Sequence, residues 1–268
     1  MKVHYLNCGT MHPRFASVFV PHQNKVPCIC LLIETGDQLL LADTGFGTRD
    51  MQDLSRLGQA NFILNVRPDD KQPAIRQIER LGFRPEDVTN IICTHLDRDH
   101  AGGLSDFPEA HVHVTAAERD AALNPRDRNE RDRYRRCHFA HGPQWITHED
   151  TSGEKWYGLE CIRELPGLPP EILLVPLPGH TRGHCGVAVD TGDGWILHCG
   201  DAYYVKHELK KAPVDIRGFR RVAHVNHSKA MNSIERVNSA LKNGSGAVTA
   251  IAAHDKYVYK NLFGKPLD

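Results

Sequence analysis

Residues 94–100 read THLDRDH, which places two imidazoles and two carboxylates, His95, Asp97, Asp99 and His100, within six positions. Such groups hold divalent cations. If the chain is still extended at 95, His95 and Asp97 lie on one side, and Asp99 and His100 continue into the turn that Gly102 and Gly103 allow. One short loop can then face two metal ions. The same residues also suit an ordinary surface loop in which Asp and His cap the following helix. Further residues of the same chemistry stand apart along the chain: Asp43 in ADTG, His180 and His184 in PGHTRGH, Asp201 in CGDA and His254 in AAHD.

Each of these pieces follows an apolar run that reads as a strand. Asp43 follows LLLA, His95 follows NIICT, His180 follows LLVPLPG, Asp201 follows WILHCG and His254 follows VTAIAA. Strand ends along one sheet edge are where α/β proteins build sites. The patterns predict a hairpin of 28–34 with 38–45, then strands at 88–95, 111–115, 171–178, 185–191, 194–202 and 247–255. Helical periodicity covers 73–83 and 228–242. Strands that are apolar throughout are covered on both faces, so two sheets stack with helices outside. With no repeat or low-complexity linker, residues 1–268 read as one domain with an arginine-rich insertion near 124–160.

The 33 basic and 33 acidic side chains cancel, which argues against nucleic-acid and membrane partners. No apolar stretch reaches the ~18 residues of a membrane span, and the N-terminus lacks signal-peptide character. A soluble, cytoplasmic protein is therefore expected. Eight scattered cysteines form no CxxC pair and read as reduced thiols; Cys28 and Cys30 would share one strand face, which permits a metal or redox role but reads first as a pair of core thiols. Seventeen histidines are an unusual supply of metal ligands and proton carriers. Six arginines against three acids in 126–136 read as a solvated helix or insertion, or as a cradle for an anionic substrate to which RGFRR (217–221) would add. Phe15, Val18, Phe19 and Val20, in 14–27, form either an apolar lip over the site or a plain edge strand.

Taken in order, ADTG, THLDRDH, PGHTRGH, CGDA and AAHD resemble the motifs of the metallo-β-lactamase superfamily. The DAYY and HD contexts are similar to its acyl-homoserine lactonase-like branch. The resemblance implies an α/β fold, an αββα sandwich of two mixed β-sheets flanked by helices, with two divalent metal ions along one edge. His95, Asp97 and His180 would hold the first ion, Asp99, His100 and His254 the second, and Asp201 would bridge them. Asp43 would orient a ligand, and His184 would support the site. Zinc is the expected metal and a small-molecule acyl substrate the expected partner; a homodimer is compatible with the sequence. The implied reaction is metal-assisted hydrolysis of an ester, lactone or related acyl bond, with Asp99 as proton shuttle and Tyr204 as donor to the oxyanion.

Position 97 departs from the H-x-H-x-D-H pattern, because a carboxylate replaces an imidazole. Two divalent ions bring four positive charges, while three aspartates and one hydroxide bring four negative, leaving none where the usual pattern leaves one positive. Less residual charge raises the pH at which the site's water ionises. A harder oxygen ligand also shifts preference toward iron or manganese. The rival readings are an iron-dependent oxidoreductase, sulfur dioxygenase-like, on the same scaffold, a first position left empty, or a phosphodiesterase or RNase. The flavodiiron branch carries H-x-E-x-D-H, but its flavodoxin-like domain has no room here.

Overall fold

The computed structural model describes residues 1–14, 24–36, 38–149, 154–210 and 214–267. A six-stranded sheet contains β1 (Lys2–Met11), β2 (Val26–Thr35), β3 (Gln38–Ala42), β4 (Val88–Ile92), β5 (His111–Thr115) and β6 (Gln144–His148), in that spatial order. The first three pair antiparallel; β3 through β6 pair parallel. A small hairpin joins β7 (Glu154–Trp156) and β8 (Leu159–Cys161). The second sheet contains β9 (Ile172–Pro176), β10 (Cys185–Asp190), β11 (Trp195–His198) and β12 (Val248–Ile251), ordered β12-β11-β10-β9. Its β11–β12 pair is parallel and the others are antiparallel, so both sheets are mixed.

Two-residue alternation on continuously apolar strands creates the layers. Ile29, Leu31 and Ile33 of β2 face Ile172, Leu174, Val187 and Val189 of the second sheet. Cys30 and Leu32 turn the other way, into a core shared with Ala74 and Ile78. On the far side, Leu173, Val175 and Leu197 pack with Ile234 and Val237. Each fully buried leucine, isoleucine or valine of these layers contributes about 1.5–3 kcal/mol.

The helices are α1 (Thr48–Gln52), α2 (Asn61–Leu64), α3 (Ala74–Arg80), α4 (Arg98–Ala101), α5 (Ala116–Leu123), α6 (Arg128–Arg133), α7 (Val214–Ala223), α8 (His227–Asn243) and α9 (Lys256–Phe263). With α3 outside the first sheet and α8 outside the second, the arrangement is the expected αββα sandwich. Among the described residues no helix is long and apolar enough to cross a membrane, and all eight cysteines are free thiols.

Several expected strands stop short. The run 194–202 ends at His198 and 247–255 at Ile251, because the chain turns at Gly200 (φ 50°) and before His254 to bring side chains inward. The edge strand β1, with a mixed exposure pattern, and the helix α9 carry no periodicity strong enough to announce them. The arginine-rich run corrects the expectation of a solvated segment. Arg131 and Asp132 are exposed, but Glu130 and Tyr134 are buried and Arg133 points into the protein. Phe15, Val18, Phe19 and Val20 lie outside the described residues.

Candidate metal centre

The candidate residues stand on loops at one edge of the sandwich, after β3, β4, β9, β11 and β12. Asp43 fastens three of these pieces. Fully buried, it accepts from Thr94 N and Thr94 Oγ1 (2.8 Å each), His100 Nδ1 (2.8 Å) and His198 Nε2 (3.3 Å). Burial alone would raise its carboxyl pKa, but the His100 and His198 imidazoles hold it far below the usual carboxylate range. These bonds also hold Asp43 at φ 59°, a conformation costing a non-glycine residue roughly 1–2 kcal/mol. At Gly179 (φ 135°) a Cβ would fall 2.1 Å from Ala230 N, so the loop carrying His180 sits directly against the first turn of α8.

Glu118 on α5 performs a similar service. Its buried carboxylate accepts from Leu96 N (2.9 Å), Tyr134 Oη (3.0 Å), Thr181 Oγ1 (2.6 Å) and Gly183 N (3.1 Å). The 95–100 turn and the 180–184 loop are thereby joined through one side chain. His184 is committed to the same frame. Its Nδ1 donates to Leu177 O (3.0 Å), and its Nε2 accepts from Asp201 N (3.0 Å), leaving no lone pair for a cation.

The seven expected ligands converge. On one side Asp97 Oδ2 lies 3.5 Å from His95 Nε2 and 3.1 Å from His180 Nε2, which is 3.4 Å from Asp201 Oδ2. On the other, His254 Nε2 lies 3.3 Å from His100 Nε2, 3.3 Å from Asp99 Oδ2 and 3.1 Å from Asp201 Oδ1, which is 3.3 Å from His100 Nε2. Four donors about 2.0–2.1 Å from one cation stand ~3.3 Å apart in a tetrahedron. Both groups match that spacing, with one oxygen of Asp201 toward each.

Two further observations fit divalent ions. His95 Nε2 and Asp201 Oδ1 are buried, and neither makes a hydrogen bond of good angular geometry. His254 Nδ1 must donate, because its partner is the Pro27 carbonyl (2.7 Å), so its Nε2 faces inward toward that of His100. Burial would lower the pKa of both imidazoles, yet Asp201, with Asp43 beside His100 and Asp99 beside His254, drives both well above the ordinary value. The acids call for positive charge, and a divalent ion answers that demand while keeping the rings neutral. Cys28 joins Asp99 and His254 as a further donor, although burial pushes its thiol up to about 11.

The fold agrees with comparisons to known proteins. Residues 24–239 match the model of the metallo-beta-lactamase superfamily. The chain belongs to that superfamily. It is 40% identical to a probable metallo-hydrolase of Mycobacterium tuberculosis over 263 residues, 97% of this chain and 82% of the relative. An N-acyl homoserine lactonase of Bacillus thuringiensis is 26% identical over 241 residues, 88% of this chain and 85% of the lactonase. A solved N-acyl homoserine lactone hydrolase, with the product N-hexanoyl-L-homoserine at its catalytic metal centre, superposes with a TM-score of 0.74. It is 22% identical, and the match covers 99% of this chain and 98% of that one.

Two members of the centre went unread in the sequence. Glu118 looks like any polar helix residue, and Arg133 lies in a charge run. Arg133 Nη1 contacts Asp97 Oδ2 and lies 2.9 Å from His180 Nε2. Its positive charge therefore stands beside the extra carboxylate, a contribution that counting only metals and acids omits. Arg220, within the RGFRR segment expected to help cradle an anion, is instead buried against Glu208. Tyr204 is also buried, with its hydroxyl 3.1 Å from His180 Nδ1.

Proposed function

We propose that the protein is a metal-dependent hydrolase that opens lactones or cleaves related small acyl esters. One observation carries this reading: His95, Asp97 and His180, and Asp99, His100 and His254, gather on either side of Asp201 at cation-binding spacing. Likeness to the lactonase supports the choice of acyl substrate. These two groups would hold divalent ions, zinc first in expectation. Such ions supply Lewis acidity toward a carbonyl oxygen and make water a nucleophile near neutral pH.

The remaining work belongs to side chains of this chain. Asp99 takes a proton from the attacking water and returns it to the departing oxygen. His180 is neutral, because burial and then Arg133 lower its pKa to about 4. With Nε2 facing a cation, or the Arg133 N–H in its place, the ring hydrogen sits on Nδ1, which donates to the Tyr204 oxygen or to His224 Nδ1 at 3.3 Å. Tyr204's own O–H proton then remains free to stabilise an oxyanion. Burial raises its pKa well above the ordinary phenol value, so it stays protonated.

The decisive assay offers N-acyl homoserine lactones of graded chain length, simple γ-lactones and aryl esters to the zinc-loaded protein. Ring opening or ester cleavage is expected, lost on chelation and restored by added metal. A fully loaded protein inert toward the whole panel would sink the reading. Oxygen consumption in the same samples, after iron loading, would identify the oxidoreductase instead. Exchange of Tyr204 for phenylalanine is expected to lower kcat by about 10²–10³-fold, the scale of losing an oxyanion donor. Metal content should be unchanged, since His224 still faces His180 Nδ1; metal loss would assign Tyr204 to positioning His180.

A further inference from the structure

The two cation positions are not equivalent, and Arg133 makes the difference. This inference rests on the metal-dependent reading above and concerns its first position only. Arg133 Nη1 contacts Asp97 Oδ2 and lies 2.9 Å from His180 Nε2, the two donors grouped with His95. A guanidinium nitrogen only donates, and an imidazole nitrogen has one in-plane lone pair. With the ring hydrogen on Nδ1, the His180 Nε2 lone pair is given to the Arg133 N–H, and Asp97 Oδ2 stands 3.1 Å away. A metal ion reaching Nε2 has to displace that N–H.

The guanidinium is held in place. Its Nη2 donates to Ala223 O at 2.6 Å, and its side chain is 11% exposed. The helix that delivers it is fixed twice. Arg98 Nη2 donates to the carbonyls of Asp132 (2.6 Å) and Arg133 (2.8 Å), and Arg182 makes a two-pronged ion pair with Glu130 (3.0 and 2.9 Å). The second group has no cationic competitor among the described residues: Asp99, His100 and His254 meet one another, Asp201, the neutral Cys28 thiol and their orienting partners Asp43 and Pro27. The carboxylate at 97 explains the asymmetry, since a neutral imidazole there would offer the guanidinium no anion.

We propose that Arg133 is a built-in competitor for the first cation position, so that the second position fills tightly and the first accepts a divalent ion only as the guanidinium withdraws.

The test is to equilibrate the zinc-loaded protein against a graded chelator and count ions per chain by plasma mass spectrometry. In the wild type one ion should persist to much lower free zinc than the other. Arg133→Met retains an apolar stem without the charge, and should tighten the first position roughly 10–100-fold, the scale on which neighbouring groups tune metal sites. Asp97→His provides an independent arm with the same expected direction, because it removes the anion that holds the guanidinium. Circular dichroism establishes that each variant is folded. Two ions released together by the wild type, or an unaltered release curve in both folded variants, overturns the proposal. Failure to hydrolyse any acyl substrate would defeat the functional reading and leave these ion counts as they are.

Discussion

Exchange of Asp99 for asparagine is expected to lower kcat/KM on the best lactone or ester by about 10²–10⁴-fold, the range of a lost general acid–base group. Asn keeps an oxygen that can face a cation but has no carboxylate to carry a proton. Asp99 stands at the meeting point of the two tasks, with Oδ2 3.3 Å from His254 Nε2. The neighbouring acids are otherwise occupied: Asp43 is enclosed by four donated hydrogen bonds, and Asp97 is paired with Arg133. The comparison is made at matched metal content, so that a loss of ions is not read as a loss of chemistry. Undiminished turnover in the loaded variant would exclude the shuttle role.

Replacing Glu118 with alanine should be among the most destabilising single changes in the chain. Four donors lose their acceptor at once: Leu96 N, Thr181 Oγ1, Gly183 N and Tyr134 Oη. Each orphaned buried group costs about 1–3 kcal/mol, and partial relaxation leaves an expected loss of roughly 4–5 kcal/mol, at the upper end for point substitutions. Urea unfolding with a fixed m-value would measure it. Glu118→Gln keeps one oxygen acceptor and should fall in between. A loss under ~1 kcal/mol for the alanine variant would show that water replaces the carboxylate.

The sequence was most informative where chemistry and periodicity coincide. Asp43, His95, His180, Asp201 and His254 each follow a continuously apolar run, and those runs became the two stacked sheets that bring the loops to one edge. The 228–242 pattern became α8 with little change of bounds. What stayed hidden depends on contacts far apart in the chain. Glu118 reaches Thr181 and Gly183 across more than 60 positions, and no local spacing announces such a bond. Arg133 lies among five other arginines of its segment, and only its register at the end of α6 singles it out. Cys28 gave the signal of a core thiol, and it is buried as one, yet its sulfur also faces Asp99 and His254. Strand ends were overestimated because the ligand loops begin with small or apolar residues, as in Cys199–Gly200 and Ala252–Ala253.

Arg98, lodged between two of the acids, has a consequence of its own. By gripping the main-chain oxygens at the close of α6, it makes the turn that carries Asp97 also fix the whereabouts of Arg133. The spacing of the opposed charges is therefore set by close neighbours, Arg98 together with the Arg182–Glu130 pair and the Ala223 carbonyl. A relative built on the same sheets, but without an arginine between its acids, would need some other anchor before a charge swap at position 97 could be tolerated.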